Sequence, residues 1–186
     1  MTGFLNQTDD SLLRLATGGQ EDAFVELYRR RQTQIYKFAL HMSGSAAVAE
    51  EVTQEVFMSL IRNANGFDAA RGSLAGYLYG IARNHVLRML ERDRPYVAIE
   101  DDTPVSTGET PLGDLTRSET IESVRQAVLS LPPNYREAVV LCDLQEISYA
   151  DAAGLLDVPV GTVRSRLSRG RAMLVDKLRV NSRCIV

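Results

Sequence analysis

Tryptophan is missing altogether, and cysteine and histidine occur twice each in 186 residues. Cys142 and Cys184 lie far apart, form no Cys-x-x-Cys, and have neither His41 nor His85 beside them in sequence. A structural zinc site needs four N or S ligands at close spacing, and a disulfide framework needs a denser cysteine set, so no metal, cofactor or disulfide is expected. The expected state is a reduced cytoplasmic protein with a core thiol at Cys142 and a tail thiol at Cys184. No run approaches the roughly 18 apolar residues of a membrane span, and no charged-then-apolar signal segment opens the chain, so no membrane insertion is expected. Neither histidine has an acid or nucleophile in a recognisable pattern, and no phosphate-binding glycine loop is present. No catalytic residue is therefore named, and an enzyme is not expected. A large excess of one charge is lacking too: 21 Lys and Arg stand against 24 Asp and Glu, a net −3. Averaged over the whole chain, that balance argues against a nucleic-acid partner.

What the chain does have is helical periodicity. Apolar residues make up 45% of it, too many for a disordered protein. Phe24, Leu27, Tyr28, Ile35, Phe38, Ala39 and Met42 recur at three- and four-residue steps, after a short helix over about 10–17. Ala49, Val52, Val56, Phe57, Leu60, Ile61 and Ala64 form a second stripe, and Leu74, Tyr77, Leu78, Ile81, Ala82, Val86 and Met89 a third. Asn63 to Ser73, between them, reads as a loop. The stretch 95–117 holds three of the six prolines and five acidic residues, Glu100, Asp101, Asp102, Glu109 and Asp114, against Arg117 alone. It has no sustained period and reads as an extended acidic linker. Helical patterning resumes at Ile121, breaks at Pro132-Pro133, and continues over about 134–144, 148–156 and 161–178. The predicted fold is all-α. Two small helical domains, 1–94 and 118–186, are joined by a flexible acidic linker, 95–117.

The most informative stretch runs from Ser148 to Leu167. Ser148 is placed to cap a helix, with Asp151 completing a weaker capping box. That helix breaks at Asp157-Val158-Pro159, and another opens at Gly161-Thr162. Asp157 stands where such turns often carry Gly; Asp accepts a left-handed backbone better than most residues. Ala153 is small where two helices must approach, and Val158, Val163 and Leu167 supply the wedge between them. This is a helix-turn-helix pattern. On its second helix Arg164, Ser165, Ser168 and Arg169 share the face opposite Val163, Leu167, Gly170 and Leu174. Arg can bond guanine O6 and N7 bidentately, and Ser is short enough to reach base edges or phosphate. Arg166, Arg171, Lys177, Arg179 and Arg183 add a basic flank. From Val160 to Arg183 seven Lys or Arg stand against one Asp. Whole-chain acidity thus hides a basic helix.

The segments Ala49-Glu-Glu-Val-Thr-Gln54-Glu55-Val-Phe57 and Tyr77-Leu-Tyr-Gly-Ile81-Ala-Arg83-Asn84 add a resemblance. With Pro132-Pro133-x-x-Arg136-Glu137 and the helix-turn-helix, they resemble the motifs of bacterial RNA polymerase sigma factors of the extracytoplasmic-function (ECF) group, from about Asp10 to Leu178. The resemblance implies a two-domain initiation factor with core RNA polymerase and promoter DNA as partners. Glu51, Gln54 and Glu55 would meet the clamp helices of the largest polymerase subunit, and the second domain the flap of the second-largest. The loop 63–73 would capture a base flipped from the minus-ten element, with Asn84 lining the pocket. An unstacked base offers its Watson–Crick edge, and Asn presents a donor and an acceptor together. Phe67 could stack on that base or plug the local core, and Arg83 and Arg88 would meet phosphates, with Arg92 and Arg94 extending the run. Arg164, Ser165, Arg166, Ser168, Arg169 and Arg171 would read the minus-thirty-five element. The family usually has Trp where Tyr77 stands; we read Tyr77 as core, with a partner required for its hydroxyl. The linker would pass through the polymerase's RNA exit path, and an anti-sigma factor would restrain the protein. Two other classes remain to be weighed. A helix-turn-helix regulator acting without polymerase would usually offer a dimer stripe, which is not seen. A sigma-like adaptor would have no use for the basic recognition face.

Overall fold

The computed structural model describes residues 4, 6–63, 66–92 and 115–183. Among the described residues every regular element is helical: α1 (Asp9–Thr17), α2 (Glu21–Ser43), α3 (Ala46–Arg62), α4 (Leu74–Arg92), α5 (Leu115–Leu129), α6 (Pro133–Val139), α7 (Tyr149–Leu156) and α8 (Val160–Arg183). The fold class is all-α, as the periodicity predicts. Ala64, Arg94, Cys184 and the acidic residues Glu100, Asp101, Asp102, Glu109 and Asp114 of the stretch read as a linker lie outside the described residues. α5 begins at Leu115, inside the stretch read as linker. Its first turn is polar, Thr116 to Glu119, so it carries no stripe by which a period could be seen, yet nothing after Gly113 breaks a helix.

Local chemistry explains the helix ends. Thr8 Oγ1 accepts from the Ser11 N–H at 3.2 Å, and Ser45 Oγ from the Val48 N–H at 3.3 Å. Ser148 Oγ accepts from the Asp151 N–H at 3.0 Å while donating to the Asp151 carboxylate at 2.9 Å. Both α2 and α7 stop on left-handed residues, Gly44 at φ 74° and Asp157 at φ 53°. Asp157 therefore does the work the sequence assigned to it. α6 does not run on as a regular helix: Val140–Leu144 widens into a π-helical turn. It ends with the Gln145 N–H donating to Val140 O at 3.0 Å, a bond spanning five residues.

The core of α2, α3 and α4 is built from Leu27, Ile35, Phe38 and Met42, from Val52, Val56 and Leu60, and from Leu74, Leu78, Tyr79, Ala82 and Val86. It does not stop at the first group of helices. Val128, Val140, Leu141 and Leu156 belong to the same buried cluster, so the two halves share one apolar interior. A smaller cluster of Leu131, Ala138, Val139, Ala152, Ala153, Val163 and Leu167 holds the helix-turn-helix together. Gly170 lets α8 cross α6 closely, since a Cβ there would lie 2.8 Å from Val139 Cγ2. Two readings of the stripes change. Tyr77 is only half-buried, and Tyr79 takes the core position, 2% exposed. Tyr28 is 38% exposed, its ring resting 4.7 Å from that of Phe57.

Candidate nucleic-acid interface

α8 separates its two faces cleanly. Val163, Leu167 and Gly170 are buried, while Arg164, Ser165, Ser168 and Arg169 are exposed along the opposite side. Among the described residues neither Arg164 nor Arg169 has an ion-pair partner. Ser165 Oγ donates to Thr162 O at 2.9 Å, which fixes its rotamer at the start of the helix. Arg166 is half-buried. Arg171 is committed: its Nε and Nη2 donate to the two carboxylate oxygens of Asp143 at 2.9 and 2.6 Å. Those bonds and the Asp143 charge, helped by Tyr149, hold the Arg171 guanidinium above its ordinary pKa.

Residues 66–73 and α4 form the wall of a cavity of about 600 Å³, with Phe67, Arg71, Tyr77 and Asn84 among its lining. Its other wall belongs to α7: Ala150, Asp151, Gly154 and Leu155. Asn84 is exposed. Phe67 is half-buried, its ring 5.7 Å from that of Tyr77, so it packs locally and also lines the cavity. Arg83, one residue along the helix, turns away from Asn84. Its Nε donates to Oε1 of Glu137, a carboxylate only 5% exposed, at 2.8 Å. Arg88 is exposed and borders a smaller hollow of about 390 Å³ with Ser59, Asn63, Asn84 and His85. Burial lowers the His85 imidazole pKa, Arg88 lowers it further, and Glu55 acts against both.

On α3, Glu51 and Gln54 are exposed, whereas Glu55 is half-buried and pairs with Arg62 at 2.8 Å. Gln54 and Glu50 edge a groove of about 700 Å³ between α2 and α3, floored by Phe24, Tyr28, Phe57, Met58 and Ile61. Met58 and Ile61 are 43% and 58% exposed. The structure does not bring the three sets of residues into one site. The α8 face, the loop cavity and the α3 face are separate surfaces.

Two family models match this chain: Sigma-70 region 2 over residues 27–95 and Sigma-70, region 4 over residues 121–174. The chain is 36% identical over 175 residues to the ECF RNA polymerase sigma factor SigE of Mycolicibacterium smegmatis, covering 90% of this chain and 66% of that one. It is 34% identical over 176 residues to the ECF RNA polymerase sigma factor SigM of Mycobacterium tuberculosis, covering 92% and 85%. The chain belongs to the ECF RNA polymerase sigma factors. Its fold is similar to that of the sigma factor RpoE solved in complex with the anti-sigma factor NepR from Bartonella quintana, at 24% identity and TM-score 0.66, covering 84% of this chain and 97% of that chain. The region 2 match takes in α3, the loop and α4; the region 4 match takes in the helix-turn-helix. Among the described residues no helix of this sigma factor is long and apolar enough to cross a membrane.

Several residues of consequence carry no role in the sequence reading. Tyr79 Oη donates to Gln145 Oε1 at 2.9 Å, joining α4 to the end of the π-helical turn. Arg136 Nη1 donates to Met42 O at 2.9 Å, and Nη2 reaches the carbonyls of Leu129 and Leu131. Burial pulls the Arg136 pKa below its ordinary value, with Glu137 acting in the other direction. The Arg136-Glu137 pair stands out in the motif, but no local pattern could show that one reaches α2 and the other α4.

Proposed function

We propose that this sigma factor divides promoter recognition between its two halves and docks on polymerase through a third surface. The α8 face Arg164, Ser165, Ser168 and Arg169 reads the minus-thirty-five element in the major groove, with Arg166 and the basic end of the helix meeting phosphates. The loop cavity takes an unpaired base of the minus-ten element, with Asn84 offering a donor and an acceptor to its edge and Phe67 and Tyr77 apolar ring surface. Arg88 lies beside it for the phosphate chain. Glu51, Gln54 and Glu55 face the clamp helices of core polymerase, with the apolar floor between α2 and α3 supplying buried area. The second domain meets the flap of the second-largest subunit. The protein works in the cytoplasm, under an anti-sigma factor.

The observation that carries this reading is the division of α8: two unpaired arginines and two serines on one exposed face, backed by a buried face that anchors the helix. A solvated structural helix has no need of such a face. Run-off transcription with core polymerase on a promoter library tests the proposal. Promoter-dependent transcripts are expected; failure to bind core polymerase ends the reading.

A further inference from the structure

The smaller hollow beside the loop cavity has a charge pattern of its own. Ser59, Arg62 and Asn63 at the end of α3 meet Asn84, His85 and Arg88 of α4 around about 390 Å³, and no carboxylate is among its lining residues. Arg88 is exposed and has no ion-pair partner among the described residues. Arg62 donates from Nη2 to Glu55 Oε2 at 2.8 Å and from Nε to Met58 O at 3.2 Å, which leaves its Nη1 unengaged. The Arg62–Glu55 pair is solvent-exposed, so it rearranges around an anion at little cost. Free carbonyls at a helix end repel anions. Here two of them are occupied, Met58 O by Arg62 and Ser59 O by the Asn63 N–H at 2.9 Å. The His85 ring is half-buried and makes no hydrogen bond among the described residues. Burial and then Arg88 disfavour a proton on it; Glu55 favours one, and Arg62 and Glu51 follow with opposed effects.

We infer that this hollow is a phosphate-binding site, with Arg62 and Arg88 as its permanent charges and His85 as a third donor that takes up a proton as the phosphate arrives. The two guanidiniums offer charge-assisted N–H donors to the phosphate oxygens, and the Ser59, Asn63 and Asn84 side chains add neutral ones. An anion among these groups offsets the guanidinium charge at the ring, and a protonated imidazole donates from both nitrogens. Affinity therefore rises as pH falls through the interval between the titration of His85 with phosphate bound and its titration without, and levels off below the lower of the two. The hollow shares Tyr77, Ile81 and Asn84 with the loop cavity. A strand whose base enters that cavity brings its phosphates past this hollow; free phosphate is the other source of the same chemistry. Only the link to a captured base rests on the proposed role of the cavity.

With only two histidines in the chain, NMR reads the site directly. In the full chain, inorganic phosphate added at an ionic strength held constant with chloride should raise the titration midpoint of His85 by about one unit, equivalent to about tenfold tighter binding to the protonated form. His41, on α2, is the internal control and should not move. Arg88→Gln and Arg62→Gln should each abolish the rise; using both covers the case in which one does not fold. A second arm tests the strand as source. Holoenzyme is bound to the single-stranded non-template minus-ten strand of a promoter active in the run-off assay, with each phosphate in turn replaced by an uncharged methylphosphonate. One position should weaken binding about tenfold at pH 6.5 and less at pH 8, and Arg88→Gln should remove that position's effect. A rise at His85 with no sensitive position supports the site and makes free phosphate its ligand. A sensitive, pH-dependent position without the rise supports it and makes the strand its ligand. If neither is seen, or if the His85 rise persists in both arginine variants, the site is overturned. If no promoter is active, the sigma reading fails and the His85 titration alone decides the site.

Discussion

Arg169 and Arg171 stand two positions apart on α8 and are put to different uses, which substitution separates. Arg169 is exposed and without an ion-pair partner, so Arg169→Ala should relax selection at particular upstream bases by about 1–3 kcal/mol, read from promoter-variant binding by the polymerase complex. Uniform weakening across all sequences would make it a phosphate contact instead. Arg171 is tied bidentately to Asp143. Arg171→Ala should leave base selection alone and lower stability by no more than about 1 kcal/mol, because the pair is solvent-screened. Gly44 offers a third contrast. It sits at φ 74°, and a Cβ there would lie 2.9 Å from Leu129 Cδ1 of α5. Gly44→Ala should cost about 1–2 kcal/mol, roughly 2–8 °C in Tm by calorimetry for a chain of this size. The Leu129 side chain can rotate, which sets the lower end.

Among the elements, α7 depends most on local chemistry. Its eight residues are capped at one end by Ser148 and closed at the other by left-handed Asp157. Ser148→Ala removes the cap and should cost about 1 kcal/mol, measured as a lower urea midpoint. Both features were legible in sequence, because caps and turns are chosen by the residue that occupies them. The helices themselves and the 63–73 loop were legible for the same reason: periodicity and breakers act within a few residues. The exchange of Tyr77 for Tyr79 was not. Both suit the stripe, and what draws Tyr79 inward includes Gln145, far along the chain and at the end of a π-helical turn that no local pattern announces. The start of α5 was missed because a polar first turn has no period. The groove between α2 and α3 was missed because Tyr28 and Ile61 look like core in a stripe and yet stay exposed in the packed helices.

For the whole molecule, high pH should loosen the shared interior. Burial raises the Cys142 thiol to about 11 and the Tyr79 phenol to about 12. Between about 9 and 11 the unfolded chain has released the Cys142 proton while the folded chain still holds it, so stability falls as pH rises through that window. Tyr79 extends the loss from about 10 to 12. Urea midpoints should fall from pH 8 to pH 10, and Cys142→Ser should remove the earlier part of the fall. By the same cause, little thiolate is present at neutral pH. In a Cys184→Ser background, iodoacetamide at pH 8 should alkylate the native protein on the order of a hundredfold more slowly than the unfolded one.

Finally, the two halves that share an apolar interior are also one chain. Only 22 residues separate α4 from α5, so the packing of one half on the other is an intramolecular event. Dilution does not dissolve it, as it would the same interface between two separate molecules.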